Sequence, residues 1–453
     1  MTGPLDLLIR APRAVTGDPD EPERPLAVGV TAGQITAVEP LDATTLAGRD
    51  TLDLNAGEVL LPGLVDSHVH VCEPGHTDWE GFAAATRAAA AGGITTLVDM
   101  PLDSVPATVS VDALRVKRQA ADGQCHVDVA FWAGVIPGNM SELEPLARAG
   151  VAGFKCFLAD SGSPEFPPVG VAELTEALHR ARNLGLPLLV HAESARAAPA
   201  RLAAPAAAHP GQTYAGYLAS RPRGLENLAV AEVIEAARAT GGHAHIVHLS
   251  SSDALPMIAS ARREGVRITA ETCPHYLTLT AEEIGDSEVA CKCSPPVREA
   301  ANRELLWAGL REARIDSVVS DHSPCTAAMK AAGDWGRAWG GISSLQLGLP
   351  LTWTQARRRG LGLAQVAAWM AAAPARLAGL TAKGRIAVGR DADFAVLAPE
   401  ESFVVDPGRL YHRHPATIPY AGRTLSGVVR LTLLRGHVID PDRPHGKLLR
   451  RAQ

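Results

Sequence analysis

Eight short segments of the chain are apolar throughout rather than alternating apolar with polar. They lie at 64–65, 95–100, 127–135, 153–158, 186–190, 245–249, 267–271 and 317–319. A strand that is apolar on both faces must be covered on both, the condition of buried parallel strands. Helix-like stretches lie between most of them, at 77–91, 111–121, 142–149, 171–184, 226–239, 254–263 and 302–313. In the first of these, Thr77 with Glu80 three residues on reads as a helix start, and Gly92-Gly93 as its stop. Strand and helix in alternation predict an α/β fold, and eight such units predict a (β/α)8 TIM-like barrel.

The two ends read differently. Residues 1–60 hold short strand candidates at 5–9, 26–30 and 35–38, separated by turn clusters such as GDPDEPERP. Residues 377–453 do the same at 384–386, 394–397, 427–434 and 437–439. Neither end has enough strands alone, so the expectation is one small β-sandwich domain built from both, flanking a barrel at 61–376. With 46% hydrophobic and 20% charged residues, the chain can bury a large core. Its net charge of -6 offers no basic excess for nucleic acid or an anionic membrane. Seven Cys do not make a disulfide framework, which points to a reducing cytoplasm. No basic segment leads into an apolar core in MTGPLDLLIRAP, so no secretory leader is expected. The longest uncharged stretch, 338–356, is broken by Ser, Gln, Thr and Gly and reads as a buried wall, not a membrane span. Residues 197–208 read as Ala-rich helix surface.

In a barrel of this kind, chemistry sits where strands end and loops begin. The first run ends in Asp66-Ser67-His68-Val69-His70, and residues two apart on a strand share a side, so His68 and His70 can face one ion. His191, His248 and Asp321 follow the fifth, sixth and eighth runs. Taken singly, each is as readily a satisfied structural residue. Together, imidazoles and one carboxylate at the strand outlets suit zinc or a similar divalent ion. Lys155 lies inside an apolar run, where its charge is costly unless removed by a lowered pKa or paired with an anion. Cys291-Lys-Cys293 lacks a second Cys pair and reads as ordinary small residues, and His243, His245, His275, His412 and His414 read as structural or solvated. No GxGxxG motif follows a strand, and neither a P-loop nor a GxSxG elbow is present, so neither a nucleotide cofactor nor the usual hydrolase serine is indicated.

The segments PGLVDSHVH (62–70), EPG (73–75), GFKCFLADSG (153–162), LVHAE (189–193), HIVHLSS (245–251), TCPHYL (272–277), KCSPPVRE (292–299) and SDHSP (320–324) resemble the cyclic amidohydrolase branch of the amidohydrolase superfamily. GRIAVGRDADFAVL (384–397) is similar to the segment where that family re-enters its small β domain. Within the branch, the segments HVHVCEPGHTDWEGF, DMPLDSVP and AWGGISSLQLGLPL are most similar to the allantoinase group. The resemblance implies two divalent ions, zinc first, with cobalt, iron or manganese as alternatives. It implies His68, His70, His191, His248 and Asp321 as ligands, Lys155 carbamylated as the bridging carboxylate, and Asp321 as the catalytic proton carrier. All six positions are filled.

The substrate expectation rests on departures within the branch. Where dihydroorotase-like relatives carry an Arg that grips a carboxylate, this chain has Cys72, which points to a neutral cyclic ureide such as allantoin. Asp103 stands where allantoinase-like sequences usually carry Asn, and an ionised Asp cannot donate a hydrogen bond there. Ser294, Ser323 and Gly341 resemble positions that meet the substrate ring. The implied reaction is hydrolysis of the cyclic amide of allantoin to allantoate by a homotetramer. The rivals are a hydantoinase or dihydropyrimidinase, and a non-catalytic scaffold relative.

Overall fold

The computed structural model describes residues 5–194, 211–330 and 333–451; the Ala-rich stretch expected as helix surface at 197–208 lies outside them. Strands from both ends of the chain share one sheet. In order across it lie His437–Val438, Thr424–Leu434, Phe394–Val404, Val59–Pro62, Leu5–Ala14, Arg24–Thr31 and Gln34–Pro40, with Gly48–Asp53 also paired to Leu5–Ala14. The two ends join where Phe394–Leu397 runs antiparallel to Val59–Pro62. Ile9, Val28, Leu60, Phe394 and Val396 from both ends fill one small core. The strand expected at 384–386 does not form. Gly384 has φ +77, outside the extended region, and an added Cβ would meet the Ala371 carbonyl oxygen at 2.4 Å.

All eight apolar runs carry strands: Leu64–Val69, Ile94–Asp99, Asp128–Phe131 with Ala133–Gly134, Phe154–Phe157, Pro187–His191, His243–Ile246, Ile268–Thr272 and Ser317–Val318. Each pairs in parallel with the next in sequence. The third run changes partner at Trp132: Asp128–Phe131 pair with 96–99, and Ala133–Gly134 with Phe154 and Lys155. Trp132 is wholly buried there, and its indole N–H donates to the Ser67 carbonyl at 2.8 Å, so the ring fills the interior without orphaning a donor. Past the eighth run, His322 bridges Val69 in parallel, and His70 N donates to His322 O at 2.8 Å. The end of the last run therefore lies beside the end of the first.

The helices between runs fall near the expected bounds, for example Val111–Ala121, Val171–Asn183 and Arg223–Thr240. The first is shorter than its pattern suggested. It spans Phe82–Ala91, and Thr77 and Glu80 do not cap it. Instead the Glu73 carboxylate, nine residues earlier, accepts from Phe82 N at 2.8 Å. Glu80 is turned inward and buried, where it accepts from Arg413 N at 3.2 Å. Of the stretch 338–356, the part within Gly348–Arg358 is a nearly buried helix. Among the described residues, no helix is long and apolar enough to cross a membrane.

Where the end-derived sheet meets the third run, a buried Lys383 ammonium lies 2.6 Å from Asp128, 2.8 Å from Asp391 and 2.8 Å from Asp393. Arg435 adds a second cation at 2.7 Å from Asp128. Such a cluster is held by mutual neutralisation, because any one member alone would be an uncompensated buried charge.

Candidate active site

The strand outlets bring the expected residues together. His68, His70, Lys155, His191, His248 and Asp321 line one cavity of about 360 Å3, with Asp103, Ser294 and Ser323. Larger grooves exist elsewhere, such as one of about 450 Å3 bordered by Arg87 and Tyr411, but they gather no comparable set of donors. His68 and His70, two apart, do face the same side: their Nε2 atoms lie 3.1 and 3.7 Å from Asp321 Oδ1. His191 Nδ1 faces His248 Nε2 at 2.9 Å, and the Phe157 ring stacks on His191. Cys72 and Gly341 are not among the lining residues. The Cys72 thiol is buried against the His70 carbonyl, and Gly341 packs on Ser323, which an added Cβ would meet at 2.5 Å.

The backbone is strained where the side chains matter. Among the described residues, seven that are not glycine have positive φ, and four of them are Cys72, Asp103, His248 and Asp321. Left-handed backbone at such residues persists only when the surroundings over-determine it, and it gathers at functional sites. Asp66 supplies part of that constraint. Its carboxylate accepts from His68 N at 3.1 Å and Ser320 N at 3.0 Å, which ties the first outlet to the eighth.

Burial dominates the electrostatics. It pulls His68 and His248 well below the usual imidazole range and lowers His191, so these rings are neutral and can offer lone pairs. It pushes Asp321 up to about 7 and Asp66 up to about 6. Lys155 is 0% exposed with no hydrogen-bond partner for Nζ, and burial brings it down to about 8. No anion is paired with it closely enough to justify a buried ammonium.

These residues fit a divalent cation. Ligand atoms of His68, His70 and Asp321 lie within 4.8 Å of one another, all three buried. Among the described residues, the buried His68 Nε2 and Lys155 Nζ atoms make no hydrogen bond, and His68 Nε2 faces Asp321 Oδ1 at 3.1 Å. Imidazole nitrogen with carboxylate oxygen is the donor set of zinc and its neighbours. Two other groups are close enough to be compared. Asp128, Asp391 and Asp393 already hold Lys383, and Cys273 with His275 reaches a cation only by sharing Asp321.

Behind the histidines stands a rank of carboxylates, of which the sequence reading singled out Asp103 but not Glu271 or Glu193. Glu271 Oε1 lies 2.5 Å from His68 Nδ1, and its Oε2 lies 3.0 Å from His245 Nε2. Burial pushes Glu271 up to about 8 against the opposing pull of Lys155 and the His248 backbone N–H, and a ring nitrogen faces each of its two oxygens. Glu193 Oε2 meets His191 Nε2 at 2.9 Å and Arg221 at 2.6 Å, and is held down at about 2. Desolvation opposes that shift; the Arg221 charge leads the effects that overcome it. Asp103 Oδ2 lies 2.7 Å from His70 Nδ1, off the line of a hydrogen bond. One signal could have found Glu271: it ends the seventh run, one of the outlets to which no chemistry had been assigned. His243 and His245 are thus not partnerless, since both also meet Thr269 Oγ1, at 2.9 and 2.8 Å. All seven cysteines are buried free thiols, His412 Nε2 accepts from Gln346 N at 3.2 Å, and His414 contacts the Asp78 carbonyl near the surface.

The amidohydrolase family matches residues 59–439. An allantoinase of Streptomyces avermitilis is 54% identical over 451 residues, covering 99% of each chain. An allantoinase of Arabidopsis thaliana is 45% identical, covering 85% of this chain and 79% of its own. Among solved structures, the L-hydantoinase (dihydropyrimidinase) of Arthrobacter aurescens superposes with a TM-score of 0.89 at 30% identity, covering 99% of this chain and 98% of that one.

Proposed function

The chain belongs to the amidohydrolase family, and from that premise we propose that it hydrolyses the cyclic amide of allantoin to allantoate with a pair of divalent ions. The observation that carries the reading is the convergence of four imidazoles, Lys155 and Asp321 on one cavity, in a chain 54% identical to an allantoinase over nearly its whole length.

His68, His70, His191, His248 and Asp321 would hold the ions, zinc first and cobalt, iron or manganese next, with a carboxylated Lys155 as a further ligand. The unpartnered Nζ supports that role, since carboxylation turns a costly buried amine into an anionic oxygen ligand. When bound, such a pair polarises an amide carbonyl and lowers the pKa of water towards neutrality. Asp321 is the group placed to take a proton on its carboxylate and return it to the leaving ring nitrogen. Phe157 closes one side of the cavity and limits water beside His191.

Asp103, Ser294 and Ser323 line the cavity and are the proposed substrate contacts; Gly341 acts at one remove, by setting Ser323. Cys72 contributes what it lacks, a cation. Of the cations bordering the cavity, Arg221 is committed to Glu193 and Lys292 to the Gly336 and Ala338 carbonyls, while Arg337 also borders it. The neutral ureide is supported by the 54% identity to an allantoinase.

The parallel pairing of eight runs and the Val69–His322 bridge support a (β/α)8 barrel at 61–376, with 1–60 and 377–453 forming the small β-sandwich domain. The reading includes a cytoplasmic homotetramer without nucleic-acid or membrane partners, supported by the free thiols and the charge of -6. A hydantoinase or dihydropyrimidinase is the second reading, favoured by the superposition on the Arthrobacter aurescens enzyme. Comparing kcat/KM for allantoin, hydantoin and dihydrouracil separates them. Allantoin should be the best of the three, and a preference for either other ring would move the assignment.

A further inference from the structure

A chain of contacts runs back from the site through the interior of the parallel sheet. His68 Nδ1 meets Glu271 Oε1 at 2.5 Å, and Glu271 Oε2 meets His245 Nε2 at 3.0 Å. Then His245 Nδ1 meets Thr269 Oγ1 at 2.8 Å, and the same hydroxyl meets His243 Nε2 at 2.9 Å. His68, Glu271 and His245 are all at most 1% exposed, so no solvent competes along that part of the chain.

With Glu271 as the carboxylate, donor counting assigns a role to every member. An ionised carboxylate only accepts, a neutral imidazole donates once and accepts once, and a hydroxyl has one proton to give. Glu271 therefore takes a proton-bearing nitrogen from each histidine. That leaves His245 Nδ1 bare, so it accepts from Thr269, whose oxygen in turn accepts from His243. At the near end, His68 must carry its proton on Nδ1 and present Nε2, the atom 3.1 Å from Asp321, as a lone pair. A ligating imidazole whose other nitrogen donates to a fixed carboxylate is held in both tautomer and orientation.

We infer that His245 and Thr269 are positioning residues for the cation site, acting through Glu271 on His68 although neither reaches the cavity that holds substrate. The inference rests on His68 being a ligand, as proposed above. It assigns a task to two residues on neighbouring strands, His243–Ile246 and Ile268–Thr272, paired in parallel with His245 opposite Thr269.

The test uses the full chain loaded with zinc, titrated with EDTA, with retained zinc counted by elemental analysis and steady-state kinetics measured alongside. His245→Leu and Thr269→Val should release zinc at chelator concentrations about 10–100-fold lower, as loss of a partner behind a ligand does elsewhere. Their kcat should fall with KM little changed. His245→Gln, whose amide N–H can still reach Glu271, should recover most of the zinc retention. Thr269→Val is nearly isosteric and keeps the test available should His245→Leu not fold. Equal zinc retention in wild type and Thr269→Val, or equal losses in the Leu and Gln variants at 245, would overturn the inference. A wild-type chain that held no zinc at all would instead sink the metal reading beneath it.

Discussion

Asp103 Oδ2 lies 2.7 Å from His70 Nδ1, so Asp103 faces one of the proposed ligand histidines as well as lining the cavity. Its backbone is left-handed, with φ 60. Both histidines of the His-x-His pair thus have a carboxylate behind them: Asp103 for His70 and Glu271 for His68.

Asp103→Asn keeps the shape and removes the charge facing His70. Cation affinity should drop about 10-fold or more, as for other carboxylates placed behind ligating histidines, and KM for allantoin should change as well, because Asp103 also lines the cavity. Unchanged chelator sensitivity with a changed KM would show that position 103 serves the substrate alone.

Asp321→Asn removes both an anionic ligand oxygen and the proton carrier. Turnover should fall by at least ~10²-fold, the usual contribution of a placed acid-base group, with the melting temperature of the metal-free protein little altered. Rates within a few-fold of wild type would end the proton-carrier role.

Lys383→Met strips the shared cation from Asp128, Asp391 and Asp393. Breaking a buried cluster by removing one partner costs about 3–5 kcal/mol, so the urea midpoint should fall clearly. An unchanged midpoint would mean that Arg435 alone neutralises the group.

Much of this was written in the sequence. The eight runs were legible because strands buried on both faces are apolar throughout, and five of the proposed ligands were legible because they lie at or near the ends of such runs. What stayed hidden depended on partners distant in the chain. The cap of the first inter-run helix comes from Glu73 rather than Thr77, because burial of Glu80 at Arg413 N took that side chain away. Glu271 reaches His68 across 203 positions, and no local pattern announces such a contact. Gly384 looked like strand by composition and is excluded from it by a positive φ.

Lys330 Nζ donates to the Lys292 and Trp339 carbonyls at 3.0 and 2.9 Å, and burial brings its ammonium down to about 8 from an ordinary 10.5. Between those values the unfolded chain binds the additional proton, so this group makes stability rise with pH, its penalty being full below 8. Buried thiols such as Cys125, raised from 9.0 to about 12, act oppositely above their ordinary value, which leaves roughly pH 8–9 as the useful window. Urea unfolding across that window should show a smaller upward slope in Lys330→Met than in wild type. Equal slopes would show that Lys330 titrates normally in the folded chain.

The central claim is tested most directly by allantoate formation from allantoin, using protein supplied with a divalent metal and bicarbonate and analysed for bound metal. The account predicts turnover that rises to a maximum at two ions per chain and is lost on chelation. Protein carrying two ions that leaves allantoin intact, or turnover that survives complete removal of metal, would contradict it.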